Sequence, residues 1–291
     1  TLAAVGSTLD DINNPWRIDT GDPESTLDAV CEYLGSAGVS AVGIASFGPV
    51  ELRRDHRQYG NITNTPKPGW SFTDVVGFVS QRLAVPVGFD TDVNGSALGE
   101  GRWGAAMGLS QFVYITVGTG IGGGAVVDGA ALHGLVHPEM GHLAIRRLDE
   151  DDFPGLCPFH GACMEGMASG PSLEARFGVP GRELHGTQLA VAMNIVTSYL
   201  AQGLTAVTRI LAPQRIIVGG GVAKLPGFHE ILNEAVAGEL AKYPGLAEHQ
   251  EPGFVSPPDL GDRSGLAGGL VLAKQVFRGQ VEAVDDRHRR F

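Results

Sequence analysis

Between residues 189 and 211 the apolar side chains Leu189, Met193, Val196, Leu200, Leu204, Val207 and Leu211 step by 4, 3, 4, 4, 3 and 4. That spacing keeps one face apolar for about six turns and predicts an amphipathic scaffold helix. A period of two runs through residues 111–117. There Phe112, Tyr114 and Thr116 alternate with Val113, Ile115 and Val117, and a second run, Ala125 to Val127, follows a stretch rich in glycine. This predicts a β-hairpin whose turn is Gly118 to Gly124.

Shorter patterns fill the rest. Residues 1–5 are compatible with a strand and begin abruptly, so a segment ahead of them is expected. Residues 25–34 read as a helix capped by Ser25. Val42 and Ile44 mark a buried strand, and Gly48-Pro49 turns the chain at its carboxyl end, where open α/β sheets bind ligands. Residues 61–70 read as a loop, either an ordinary connection or a ligand contact. Residues 72–84 look helical and 86–89 form a short strand. Asp90 to Asn94 then lead into a glycine- and alanine-rich helix over 94–106. Residues 215–228 read as strand, glycine turn and helix, and 264–277 as a last helix. The tail DDRHRR reads as solvated mixed charge.

Composition narrows the partners. Twenty-one basic against 32 acidic residues give a net charge of −11, which repels nucleic acid and anionic membranes and favours small molecules. An apolar content of 43% with 18% charge fits a globular chain long enough for one large or two modest domains. No unbroken run of about 18 apolar residues and no signal-peptide pattern occur, so a cytoplasmic protein is expected. Glycine, 43 of 291 residues, stands at about twice ordinary usage without any period.

The densest chemistry lies between Val136 and Gly170. Cys157-x2-His160-x2-Cys163, with His142 fifteen residues upstream, offers the four soft or borderline ligands of a tetrahedral structural zinc site. The competing reading makes these cysteines small buried hydrophobes in a turn. Three cysteines in the whole chain do not read as a disulfide framework, and Cys31 reads as a core thiol. Glu139 and Glu165 flank the ligands, close enough in sequence for a bound metal to fix both carboxylates. Asp90 and Asp92 at a strand end are either helix caps or working acids. The glycine turn after Val117 can aim backbone N–H groups at an anion, although it lacks the lysine of a Walker loop.

Taken in order, GIASFGPV, DTDVNGSALGE, VGTGIGGG with HPEMGH, CPFHGACMEG and IVGGGV resemble the ROK sugar kinases, and the histidine within the cysteine pair is similar to their bacterial fructokinase branch. The resemblance covers essentially the whole chain. It implies an α/β, actin-like ATPase (ribonuclease H-like) fold, with two lobes around mixed five-stranded β-sheets and the sugar in an interlobe cleft. The small sugar-side lobe would be 1–109 plus 265–291, and the large lobe with zinc loop and ATP site 110–264. By resemblance Asp92 is the catalytic base, and Glu139, His142 and Glu165 hold sugar hydroxyls. His142, Cys157, His160 and Cys163 ligate zinc. Gly118, Thr119 and Gly120 form the second phosphate loop, Gly219, Gly220, Gly221 and Val222 the adenosine turn, and Pro171 lies near the adenine.

The implied reaction is ATP-dependent phosphorylation of a hexose, fructose first, with magnesium accompanying ATP, structural zinc and a homodimer. One departure stands out. Family members open with an acidic-x-Gly-Gly-Thr loop, and Thr1 to Val5 match only the strand after it. The rival readings are a ROK kinase for glucose, mannose or an N-acetyl amino sugar, and a ROK protein that binds sugar without catalysis. A ROK repressor would carry a helix-turn-helix ahead of the kinase-like part and a basic surface, and the sequence shows neither. A metalloenzyme working through the Cys/His cluster is disfavoured because four protein ligands leave no open position.

Overall fold

The computed structural model describes residues 1–241 and 247–288. In chain order, β1 (Leu2–Ala3) and β2 (Trp16–Arg17) precede α1 (Pro23–Ser36), β3 (Val42–Ser46), α2 (Val75–Leu83), β4 (Val87–Thr91) and α3 (Asp92–Trp103). Then come β5 (Phe112–Val117), β6 (Ile121–Val127), β7 (Ala130–Ala131), α4 (Met164–Ala168), α5 (Gly170–Phe177) and α6 (Gly186–Leu211). β8 (Arg215–Gly219), α7 (Phe228–Leu240), β9 (Val255–Ser256) and α8 (Ser264–His288) complete the order. The side chains of the expected DDRHRR tail lie outside the described residues. Unit 1 comprises Thr1–Gly104, Leu132–His137 and Asp262–Phe291, and unit 2 comprises Ala105–Ala131 and Pro138–Gly261.

In unit 1, β3 and β4 pair in parallel from Val42↔Val87 to Ser46↔Thr91, while β1 and β2 pair antiparallel through two residues each. The five-stranded sheet implied by the resemblance is absent here among the described residues, which hold two two-stranded sheets instead. Ala3, Val5, Val42 and Ile44 all line one cavity of about 370 Å³, and among the described residues no ladder joins the two pairs. Leu27, Cys31 and Leu34 of α1 pack with Val79 of α2, Phe89 of β4, Ile62 and Trp70 into one apolar core. Trp70 is fixed from the loop by its indole N–H, which donates to the Gly21 carbonyl at 2.9 Å.

Two helix starts differ from the sequence expectation. Asp22, not Ser25, caps α1: its carboxylate accepts the Ser25 N–H at 3.0 Å, and Pro23 presets the first helical φ. α3 starts at Asp92 rather than Asn94, because Thr91 is the cap and its hydroxyl accepts the Asn94 N–H at 3.1 Å. α8 crosses α3 at backbone distance, since a Cβ on Gly268 would stand 1.9 Å from the Gly95 carbonyl oxygen. Only glycine allows that approach.

Unit 2 holds a five-stranded sheet in the order β7-β6-β5-β8-β9, antiparallel across β5–β6 and parallel across β5–β8 and β8–β9. The hairpin turn is shorter than its glycine content predicts. Gly122 to Gly124 lie inside β6 and pair with Thr116, Ile115 and Tyr114. Gly123 is there for packing, because a Cβ would sit 2.6 Å from the Met140 sulfur. α6 is long and apolar enough to cross a membrane by length and composition. It is nevertheless the core helix of unit 2, packed against α4 and α7 with Tyr199, Leu200 and Leu204 fully buried. Each such leucine contributes roughly 1.5–3 kcal/mol by leaving water.

Candidate functional site

His142, Cys157, His160 and Cys163 converge in unit 2, with their ligand atoms all within 4.8 Å of one another. His142 Nδ1 lies 3.6 Å from each sulfur, and His160 Nδ1 lies 3.7 Å from the Cys157 sulfur. A tetrahedral ion with bonds of about 2.3 Å to sulfur and about 2.0–2.1 Å to nitrogen sets sulfur–nitrogen edges of about 3.6 Å. The four residues therefore fit a closed zinc centre. The local backbone explains the fit: Cys157 and Gly161 exchange both N–H···O bonds in a tight knuckle, with Gly161 at φ +59°. Cys163 is the residue preceding α4, and the Met164 N–H donates to the Leu143 carbonyl. All three cysteines are free thiols.

The segment between His142 and Cys163 is also held by an ion pair that the sequence did not reveal. Arg176 of α5 donates to both carboxylate oxygens of Asp151 at 2.8 Å, the Tyr199 hydroxyl donates to the same carboxylate, and the guanidinium lies 4.0 Å over the Phe153 ring. The pair is largely buried, with 9% and 12% side-chain exposure. Its hydrogen bonds hold the Asp151 carboxyl far below the usual carboxylate range, those from Arg176 contributing most. An arginine 25 residues downstream of a loop aspartate carries no sequence signature.

Three nucleotide-side segments expected from the resemblance meet in unit 2. The turn Gly118–Thr119–Gly120 joins β5 to β6, and the Gly118 carbonyl accepts the Gly170 N–H at 2.7 Å, next to Pro171 at the start of α5. A Cβ on Gly118 would lie 3.8 Å from the Gly221 nitrogen, and one on Gly170 would lie 3.8 Å from Val222. Gly220 is strictly a glycine position: at φ +95° a Cβ would meet the Val117 carbonyl oxygen at 2.4 Å. Gly219 passes just as close to the Tyr114 hydroxyl. Within the hairpin turn the Gly118 amide is committed to the Gly120 carbonyl and the Ile121 amide to Glu165. Among the described residues this leaves the Thr119 and Gly120 amides to meet an anion, as in phosphate nests.

Glu165, two residues beyond Cys163, thus has a role beyond the one expected of it. Its Oε2 accepts the Ile121 N–H at 2.8 Å, tying α4 to the glycine turn and leaving Oε1 for other donors. Glu139 is exposed and its carbonyl accepts the His142 N–H at 3.1 Å. Because His142 turns Nδ1 towards the sulfurs, its Nε2 is the atom that can face a hydroxyl.

Asp92 belongs to unit 1, where it is exposed in the first turn of α3 and its Oδ1 accepts the Val93 N–H. The preceding Asp90 is 2% exposed and heavily bonded. Its Oδ1 accepts from the Thr91 N–H at 2.8 Å and the Asn94 amide at 2.7 Å, while Oδ2 lies 2.9 Å from His133 Nε2. On the same returning segment His137 is buried, and its Nε2 accepts the Val50 N–H at 3.1 Å beside the cis Gly48–Pro49 turn.

With this geometry in hand, the chain matches the ROK family over residues 22–276. It belongs to the ROK family. It is 41% identical over 264 residues to a fructokinase of Zymomonas mobilis, covering 88% of this chain and 87% of that one. It is 38% identical over 277 residues to a fructokinase of Lactococcus lactis, covering 95% and 94%. Among solved structures, a ROK family glucokinase from Streptomyces griseus in complex with glucose and AMPPNP superimposes with a TM-score of 0.72 at 26% identity, covering 91% and 92%. The fold class is thus the α/β, actin-like ATPase fold of ROK sugar kinases.

Proposed function

We propose that this ROK protein is an ATP-dependent hexose kinase, with D-fructose as acceptor. The observation that carries this reading is the meeting of Gly118–Gly120, Gly170 and Gly221–Val222 at backbone distance in a chain whose relatives are named fructokinases. Phosphoryl transfer asks a protein for positioning and charge stabilisation more than for covalent chemistry. Asp92 accepts the proton of the attacking hydroxyl. Glu139, Glu165 through its free oxygen, and His142 through Nε2 hold sugar hydroxyls. The Thr119 and Gly120 amides hold phosphate oxygens, while Gly219 to Val222 and Pro171 take the nucleoside.

His142, Cys157, His160 and Cys163 would hold zinc, which would supply a cross-link across the loop and the charge to balance two thiolates. Magnesium enters with ATP. Unit 1 serves as the sugar-side lobe and unit 2 as the ATP lobe of a cytoplasmic homodimer without nucleic-acid or membrane partners.

A coupled ADP-release assay across fructose, glucose, mannose and N-acetylated amino sugars tests the assignment. Fructose should give the highest kcat/KM, and Asp92→Asn should lower kcat by about 10²–10⁴ while sugar binding persists. Near-normal turnover by that variant would remove Asp92 from the role of base. Binding of fructose without ADP release by the wild type would make this a sugar-binding protein instead.

A further inference from the structure

The elbow between β4 and α3 is the part of unit 1 that presents Asp92, and it is held by side chains. Asp90 bonds forward to the Thr91 amide and the Asn94 side chain, Thr91 caps the Asn94 amide, and Asp92 lies between these anchors. Asp90 and Asn94 are 2% and 1% exposed, so the carboxylate has little water to stabilise its charge. One imidazole reaches it. His133 comes from the Leu132–His137 segment, with 42% of its side chain exposed, and its Nε2 lies 2.9 Å from Asp90 Oδ2 and 3.3 Å from Asn94 Nδ2.

We propose that His133 is a positioning residue for phosphoryl transfer: by donating to Asp90 it locks the Asp90–Thr91–Asn94 web and holds the first turn of α3, with Asp92, in one orientation. The role rests on Asp92 being the general base. Asp90 Oδ2 only accepts and is nearer to Nε2 than Asn94 Nδ2 is, at 2.9 against 3.3 Å, and Asn94 Nδ2 already donates to Asp90 Oδ1, so Nε2 carries its proton towards Asp90. Among the described residues the buried Asn94 Oδ1 has no partner. The web is therefore incompletely satisfied, and loss of His133 would leave Asp90 with less compensation still. The hydrogen bond to Asp90 raises the His133 pKa above its ordinary value, against the lowering effects of burial and of the Arg54 charge. Raised in the folded state, the charge-assisted part of the interaction is complete below the ordinary histidine pKa and is lost as pH rises through the folded one, while the neutral ring keeps its Nε2–H on Asp90.

The experiment compares the full-length wild type with His133→Ala, His133→Gln and Asp92→Asn in ADP release, with fructose and ATP each varied and pH scanned. Ring-proton NMR titration of His133 in the wild type and in Asp90→Asn runs alongside. We expect His133→Ala to lose about tenfold in kcat, since small misplacements of a catalytic group are costly. Its KM values should stay within about twofold, the mark of an interaction used in the transition state. His133→Gln, which keeps an N–H donor, should recover most of the loss. As pH rises through the His133 titration the wild type should lose less kcat than His133→Ala does, because the neutral ring still donates from Nε2; this shallow limb should be missing from His133→Gln, and Asp90→Asn should return the ring titration towards its ordinary value.

Normal kcat in His133→Ala beside a disabled Asp92→Asn would overturn the positioning role alone. Equal losses in the Ala and Gln variants with a lowered melting temperature would make His133 merely structural and also overturn it. An unshifted ring titration in the wild type would remove the pair itself. Near-normal turnover by Asp92→Asn would end both the base assignment and the role argued from it.

Discussion

In unit 2 the groups assigned to nucleotide and sugar hang on backbone contacts. Gly170 donates to Gly118, Gly220 lies against Val117, and the Cys157–Gly161 knuckle presents two of the four candidate metal ligands. In unit 1 the same task falls to side chains, with Asp90, Thr91, Asn94 and His133 holding the turn that carries Asp92. Backbone scaffolds need glycine where a Cβ would collide, and they are rigid because main-chain groups cannot rotate away. A side-chain web can be assembled from ordinary residues, but each member is a rotamer that must be fixed by another. Damage to unit 2 should accordingly appear first as lost folding or lost nucleotide affinity, and damage to unit 1 as lost turnover.

The largest effect should come from the Cys/His cluster. Structural zinc in small domains is worth on the order of 10 kcal/mol of apparent folding free energy, so Cys163→Ala should lower the melting temperature of unit 2 more than any other change considered. Zinc measured by atomic spectroscopy should fall from one per chain to near zero, and a chelator acting on the wild type should expose the segment around residues 142–163 to protease. A folded, active preparation with no stoichiometric zinc would break the comparison, because the knuckle would then stand on backbone alone.

Next in size is the ion pair on the same loop. Removing one partner of a buried, hydrogen-bonded pair costs about 3–5 kcal/mol, because the other charge is left uncompensated. Arg176→Met should lower the denaturation midpoint accordingly. The pH sign follows from Asp151, whose folded pKa is depressed: its contribution is present above the ordinary carboxylate pKa and is lost as pH falls towards the folded value. Wild type should therefore lose stability on acidification faster than Arg176→Met, which lacks the pair to lose. Parallel acid profiles would show that Asp151 is held by Tyr199 and backbone instead.

What the sequence disclosed divides along the same line. The candidate ligands Cys157, His160 and Cys163 stand within seven residues, so spacing alone assembled three-quarters of the cluster, and α6 followed from its apolar period. Glycine was legible as abundance but not as function. Gly118 and Gly120 make a turn, whereas Gly122 to Gly124 are strand residues that admit neighbouring side chains, and nothing local separates the two. The Asp90–His133 and Asp151–Arg176 pairs join residues 43 and 25 apart through folding alone, so no window of sequence holds both partners. Thr91 was hidden as a cap by its more conspicuous aspartate neighbours.

The smallest effect probes a contact between a side chain and the backbone of the glycine turn in unit 2. A Cβ on Gly120 would stand 2.7 Å from Glu165 Oε2, the oxygen that accepts the Ile121 N–H. Gly120→Ala should displace the carboxylate, which is the flexible partner, and leave the strand register intact. Losing that bond costs about 1–3 kcal/mol. The loss should appear as a KM for ATP raised by between about fivefold and about 150-fold, because the turn amides lose their fixed direction. Zinc content should not change, since Cys163 and the knuckle lie outside the disturbance. If the ATP KM stayed at its wild-type value while the fructose KM rose, Glu165 would be acting on the sugar only, and the turn would owe its shape to Gly170 rather than to the carboxylate.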